Sequence, residues 1–178
     1  MNFCFQKVKD YKLKIFKKIW KIYTEAFPSD EKRSLKEQIK LFLNPNYILY
    51  SIEIGKEVAG LLGIWKFQEF VFIEHLAVRK DLRGQGIGTR ILKNFLKGES
   101  QNIILEVERP RNKISKKRIK FFKKCGFKLN RYNYIQPPYD KNKKPVPMYL
   151  ISFPDFIKKR EYDTIKTTLY KEVYNVSL

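Results

Sequence analysis

The stretch Ile73-Glu74-His75-Leu76-Ala77-Val78-Arg79-Lys80-Asp81-Leu82-Arg83-Gly84-Gln85-Gly86-Ile87-Gly88 decides the fold. Its first part closes a run from Phe70 to Val78 that is largely apolar on both faces, which predicts a central strand covered by helices on either side. A short basic turn, Arg79 to Arg83, follows. The glycines then open a helix striped by Ile87, Ile91, Leu92 and Phe95, which ends near Gly98. At such a junction unpaired backbone N–H groups and the positive end of the helix dipole converge on one point, and the missing Cβ atoms let a diphosphate approach the main chain. Two other phosphate-binding patterns are excluded by spacing. There is no G-x-x-x-x-G-K-[ST], and no G-x-G-x-x-G with an acid about twenty residues on.

Upstream, residues 2 to 8 read as a strand, and Asp10 stands where the N-cap of a helix is wanted. That helix carries Ile15, Phe16, Ile19, Trp20, Ile22, Tyr23 and Phe27 and ends near Pro28. Ser34 and Glu37 form an S-x-x-E capping box for a second helix, with Leu35, Ile39 and Phe42 on its apolar side and Asn44-Pro45 as its stop. Tyr47 to Ile54 and Val58 to Trp65 form a hairpin around Gly55-Lys56, with Gly60 and Gly63 permitting close packing. Downstream, Asn102 to Val107 is another buried strand. Ser115 can cap a helix bearing Ile119, Phe122 and Cys125, which Gly126 ends in a left-handed turn. Phe127 to Tyr134 and Met148 to Ser152 are the last strands, and Ile165, Leu169 and Val173 mark a helix in the tail. The order β, α, α, β, β, β, α, β, α, β, β predicts an α+β fold with a mixed, mostly antiparallel central sheet flanked by helices on both faces. The expected organisation is one domain over residues 1–152, with a C-terminal helical extension of the same domain over 153–178.

A chain of 178 residues with 43% hydrophobic composition buries a core without staples. The two cysteines, Cys4 and Cys125, stand far apart and are read as free thiols; with His75 as the lone histidine, no structural zinc set is expected. No apolar run reaches the length of a signal core or a membrane span, so the cytoplasm is the expected compartment. The formal net charge of +20 suits nucleic acid, an anionic membrane surface or an anionic small ligand, and does not choose among them. From Arg109 to Tyr139 there is no acid at all, while Arg111, Lys113, Lys116, Lys117, Arg118, Lys120, Lys123, Lys124, Lys128 and Arg131 accumulate. That block is expected to face something negative.

Ile73 to Val78 followed by Arg83-Gly84-Gln85-Gly86-Ile87-Gly88 resembles the strand-and-loop signature of the GNAT superfamily, [RQ]-x-x-G-x-[GA]. Arg118-Ile119-Lys120-Phe121-Phe122-Lys123-Lys124-Cys125-Gly126-Phe127 resembles its second signature, and the element order matches from about Met1 to Ser152. The resemblance implies acetyl-coenzyme A as co-substrate. Its pyrophosphate would lie on the loop from Arg83 through Gly84, Gln85, Gly86, Ile87 and Gly88 to Thr89, and its pantetheine along Leu76, Ala77 and Val78, beside a strand at Ile103 to Val107 that splays away. Ser115 stands where the family often has an Asn touching the pantetheine arm; a helix cap is the equal alternative. Arg118 is a further candidate for the cofactor's phosphates. The acceptor pocket would be built from the first two helices and the late hairpin.

The resemblance further implies acetyl transfer to a primary amine in a direct ternary complex, with no metal and no membrane, by a monomer or homodimer. Phe122 stands where many members have the Tyr credited with protonating the departing thiolate. Glu74 is the one carboxylate in its apolar strand and by two-residue alternation shares a face with Phe72 and Leu76. It is the expected general base, with His75, Glu106 and Glu108 behind it. The alternatives are a basic nucleic-acid-binding protein, which the core positions of the phenylalanines disfavour, and a degenerate coenzyme A sensor.

Overall fold

The computed structural model describes residues 3–176, so residue 2 of the expected first strand and the last two residues of the tail lie outside it. The chain divides into two compact units, one of residues 1–27 and 33–101, the other of 28–32 and 102–178. Both cysteines are free, Cys4 exposed and Cys125 buried.

The first unit contains β1 (Phe3–Lys7), α1 (Lys14–Ala26), α2 (Leu35–Lys40), β2 (Tyr47–Ile54), β3 (Glu57–Lys66), β4 (Phe70–Val78) and α3 (Ile87–Lys97). Strands β1 to β4 pair in sequence order as an antiparallel meander, which Gly55 turns at a φ of 62° between β2 and β3. β3 is buried from Val58 to Trp65, because helix α1 lays Phe16, Ile19, Ile22 and Tyr23 over the sheet. Two local expectations are corrected. Asp10 does not cap α1: its carboxylate accepts the N–H of Lys12 at 2.9 Å in a turn before the helix, and Leu13 takes the N-cap position with no side-chain bond. The Ser34–Glu37 capping box forms as expected, but α2 turns Gln38 and the following Leu41 inward and leaves Leu35 45% exposed.

Strand β4 departs from strict alternation. Gly60 to Gly63 pair with Val78 to His75 in register, then Ile64, Trp65 and Lys66 pair with Ile73, Phe72 and Val71, so Glu74 is one residue too many. A bulge of this kind re-aims the side chain at the extra position. It is why Glu74 does not share a simple face with Phe72 and Leu76.

The second unit contains the connector Pro28 to Lys32, β5 (Asn102–Glu108), α4 (Lys113–Lys124), β6 (Lys128–Gln136), β7 (Val146–Phe153) and α5 (Lys159–Thr168). Its strands are antiparallel in the order β5-β7-β6, with β7 central. Helix α4 is fastened at both ends. Asn112 caps its start, and Gly126, at a φ of 98°, closes it with Gly126 N–H to Lys123 C=O and Phe127 N–H to Phe122 C=O bonds at 3.0 and 3.2 Å. The tail runs from α5 into a π-helical turn, Leu169–Val173, and buries Ile165, Leu169 and Val173 as their spacing predicts. The α+β class with mostly antiparallel pairing is the one observed.

Gly60 supplies a test of the first unit's packing. A Cβ there would lie 2.3 Å from the carbonyl oxygen of Ala77, a backbone atom held by the β3–β4 ladder. Gly60→Ala is therefore expected to cost at least the ~1–3 kcal/mol of an overpacked core. Thermal unfolding would show the loss as a lowered Tm; a parental Tm would contradict the close approach.

Candidate functional site

The segment after β4 is shaped by side chains that turn back onto its own backbone. Arg79 grips Asp81 through two bonds of 2.8 and 3.0 Å and the carbonyl of Val58 at 2.9 Å. Arg83 Nε donates to the Val78 carbonyl at 2.8 Å, and the Gln85 amide donates to the Asp81 carbonyl at 3.0 Å. Gly84 and Gly86 adopt φ of 81° and 73°, left-handed conformations that side chains resist. Gly84, Gln85 and Gly86 are exposed. Gly86 is the N-cap of α3, which has no side-chain cap bond and no acid in its first turn. The amides of Ile87, Gly88 and Thr89 thus begin a helix whose dipole meets neither a side-chain cap nor a first-turn acid. Upstream, Leu76 and Val78 are half-buried and Ala77 is buried against Gly60.

Glu74 is not an isolated carboxylate. Its side chain is 1% exposed, and Oε1 accepts from Arg33 Nε at 3.0 Å and Nη2 at 2.9 Å. Oε2 accepts from the Trp65 indole at 2.8 Å, with His75 Nδ1 at 3.8 Å. The Arg33 N–H donates to the Tyr23 hydroxyl at 2.7 Å, and that hydroxyl lies 3.4 Å from His75 Nε2. Since the Tyr23 oxygen is already an acceptor, its hydrogen is free to point at Nε2. Burial first, then the charge of Glu74, push the Tyr23 phenol well above its ordinary range. Glu74, the carboxylate expected to act as base, is thus a paired group, with a guanidinium on one oxygen and an indole on the other. Sequence reasoning missed Arg33, whose partner lies 41 residues away.

In the second unit, Ser115 is 1% exposed and does not cap α4 as expected: Asn112 takes the N-cap position, and Ser115, third residue of the helix, is its partner in the capping box, its N–H donating to the Asn112 carboxamide oxygen at 2.8 Å and its hydroxyl accepting the Asn112 N–H at 3.1 Å. Phe122 packs edge-on between Phe121 and Phe127, an apolar position with no phenol to offer. Glu106 accepts from the hydroxyls of Tyr134 and, at 2.6 Å, Tyr174. Burial, then Glu106, push the Tyr134 phenol well up. Arg118 Nη1 stands 2.8 Å from Glu108 and 3.8 Å from Glu31 of the connector. The β6–β7 loop holds that connector, Lys143 Nζ donating to the Lys32 carbonyl and the Lys144 N–H to Asp30 at 3.4 Å.

The buried pair makes a sharp test. Removing one partner of a buried, hydrogen-bonded ion pair leaves the other charge stranded, at a cost of about 3–5 kcal/mol. Arg33→Ala is expected to lose that much in denaturant unfolding, and Arg33→Met combined with Glu74→Leu much less; equal losses would show that the pairing itself is not what matters.

A family model described as the acetyltransferase (GNAT) family matches residues 13–127. A Bacillus subtilis (strain 168) protein that carries the name of an acetyltransferase, YjbC, is 33% identical over 107 residues, 59% of this chain; the match spans 54% of that relative's length. A solved GNAT-family structure from Bacteroides thetaiotaomicron is 30% identical with a TM-score of 0.92, covering 99% of this chain and all of its own. The fold also matches a GNAT-family acetyltransferase from Elizabethkingia anophelis solved with acetyl-CoA bound, at a TM-score of 0.59 and 18% identity over 85% of this chain and 97% of that one. By its loop, its second signature and these matches, the chain belongs to the GNAT family of acetyltransferases.

Proposed function

We propose that this protein transfers the acetyl group of acetyl-coenzyme A to a primary amine, which attacks the thioester directly while both substrates are bound. The observation that carries the proposal is the uncapped start of α3 behind Gly84-Gln85-Gly86, where exposed backbone and a helix dipole favour a diphosphate. The acetyl-CoA bound to the Elizabethkingia relative supports the same ligand here. In this proposal the loop from Arg83 to Thr89 binds through its amides, with Leu76 to Val78 offering the strand along which pantetheine lies. Arg83 acts chiefly by shaping the loop, since its Nε is engaged by Val78. Glu74, with both oxygens engaged, fixes the β4 bulge near the reacting end.

Chemistry sets the remaining requirement. A coenzyme A thiolate has the leaving ability of a free thiol, roughly pKa 8.5, so the apolar Phe122 is compatible with turnover. The amine, by contrast, arrives as an ammonium and must lose a proton before its nitrogen attacks.

Calorimetry with acetyl-CoA, followed by thiol release with a panel of polyamines, aminoglycosides and short peptides with free N-termini, tests the proposal. Micromolar cofactor binding and release stimulated by at least one amine are expected. Gly86→Val forces a β-branched side chain into a left-handed position and is expected to weaken acetyl-CoA binding on the order of a hundredfold. Arg83→Gln is expected to weaken it only modestly. Undiminished binding by folded Gly86→Val would refute the loop assignment.

A further inference from the structure

We propose that the solvent face of α4 is a docking surface for double-stranded DNA, which it holds through the phosphates without reading the sequence. The inference is independent of the acetyl-transfer reading and concerns the second unit alone. Helix α4 exposes Lys113, Lys116, Lys117, Lys120, Lys123 and Lys124. At about 3.6 residues per turn these side chains fall within an arc of about 120°. Its buried residues, Ser115, Ile119 and Phe122, stand on the opposite side. Every position of the outer arc is a lysine, over a length of roughly 16 Å at the helical rise.

A charged helix face is ordinarily just solvated, with its cations balanced by acids nearby. Elsewhere in the chain lysines do meet acids: Lys66 pairs with Glu99 at 3.0 Å, Lys143 with Asp140 at 3.5 Å and Lys171 with Glu172 at 3.7 Å. Among the described residues, none of the exposed lysines of α4 has an ion pair or a side-chain hydrogen bond. The sequence offers them no neighbouring acid, since residues 109–139 contain none. Lysines three and four apart on a helix repel one another, and Lys120 has such neighbours in Lys116, Lys117, Lys123 and Lys124. The start of the helix adds to the field. Helices α2 and α5 each place a glutamate in the first turn, where α4 has no acid and sets Lys113 and Lys116 against the positive end of its dipole. Local structure disfavours this arrangement, and a polyanion laid along it relieves the repulsion and stabilises the folded unit.

The chemistry of the face selects the polyanion. A helix that adsorbs to a bilayer sets large apolar groups beside its lysines. The apolar residues of α4 are wholly or partly withdrawn from water, apart from Ile114 at 69% exposure on the flank of the stripe. Single strands require aromatic platforms for their bases, and the stripe has none; Phe121 and Phe122 pack on each other with ring centres 4.9 Å apart. Nor does the stripe carry an Asn, Gln or Arg to read base edges. What remains is a row of point charges on a helix fastened at both ends, by the Asn112 cap and by Gly126. A stiff duplex presents the matching row of phosphates, one per ~3.4 Å along each strand. The B-form major groove, about 12 Å wide, admits an α-helix, whereas the deep groove of an RNA duplex is too narrow, so DNA is the partner that fits.

The test is fluorescence anisotropy of the full chain with a labelled DNA duplex of about 20 base pairs, between about 50 and 200 mM salt. Binding is expected to be indifferent to sequence, with log K falling against log salt at a slope of about −4 to −5, as when most of these lysines each neutralise a phosphate. Lys116→Gln, Lys117→Gln and Lys120→Gln combined are expected to flatten that slope by about 3 and to weaken binding at low salt by tenfold or more. Lys14→Gln, Lys17→Gln and Lys18→Gln combined remove the same charge from the exposed side of α1 and are expected to leave the slope in place. Labelling of the parent with an amine-reactive reagent checks the same point without any variant: the duplex is expected to protect Lys116, Lys117 and Lys120 and to leave Lys14, Lys17 and Lys18 reactive. A slope that the α4 variant keeps, one that the α1 variant loses equally, or protection shared by both helices overturns the assignment. Tighter binding, at equal salt, of polyglutamate, of phosphatidylserine vesicles or of single- or double-stranded RNA overturns it in favour of that partner.

Discussion

One surplus residue in β4 organises the first unit. With Glu74 unmatched in the β3–β4 ladder, a carboxylate is turned into an interior lined by Tyr23, Trp65 and His75, where it cannot remain without partners. Arg33 supplies the charge and Trp65 the second donor. Because Arg33 immediately precedes the Ser34 cap, this pairing sets where α2 begins, and its N–H sets the Tyr23 hydroxyl against His75. A backbone irregularity thereby fixes a helix start, a strand and a phenol through one guanidinium. On the other side of the bulge the ladder regains register and brings Gly60 against Ala77, just ahead of the glycine loop.

The chain's large positive charge is only loosely connected with the proposed anion site. At the loop, Arg79 and Arg83 are occupied with Asp81, Val58 and Val78, so the attraction comes from peptide dipoles. The exposed lysines of α4 belong to the second unit. What the interior does with the opposite charge is more varied: one buried glutamate is neutralised by arginine, another is clasped by two phenols, and a third competes with its neighbour for a single cation. These are three solutions to the same desolvation problem.

What could be read in the sequence was what local patterns encode. Tyr47–Ile54 and Phe70–Val78 were bounded by apolar pattern and turn residues, the Ser34–Glu37 box by its spacing, and the left-handed Gly126 by its place after an apolar stripe. The left-handed turns of the glycine loop were legible for the same reason, since they lie in backbone geometry. Asp10 misled because an Asx turn and an N-cap use the same side-chain bond a few residues apart. The bulge at Glu74 was hidden because alternation carries no sign of an inserted residue, and its partner Arg33 lies on another element. The meeting of Glu31 with Glu108 and Arg118 depends on how the chain returns to one place, which no spacing rule reports.

The clasp on Glu106 bears on how the second unit folds. Tyr134 belongs to β6 and Tyr174 follows the last turn of the tail, so the two donors to this carboxylate stand 28 and 68 residues from it along the chain. Leu169 and Val173, fully buried, hold the same tail down. Contacts of such sequence separation must close large loops before they return any stability, so the clasp belongs to the slow, non-local part of folding.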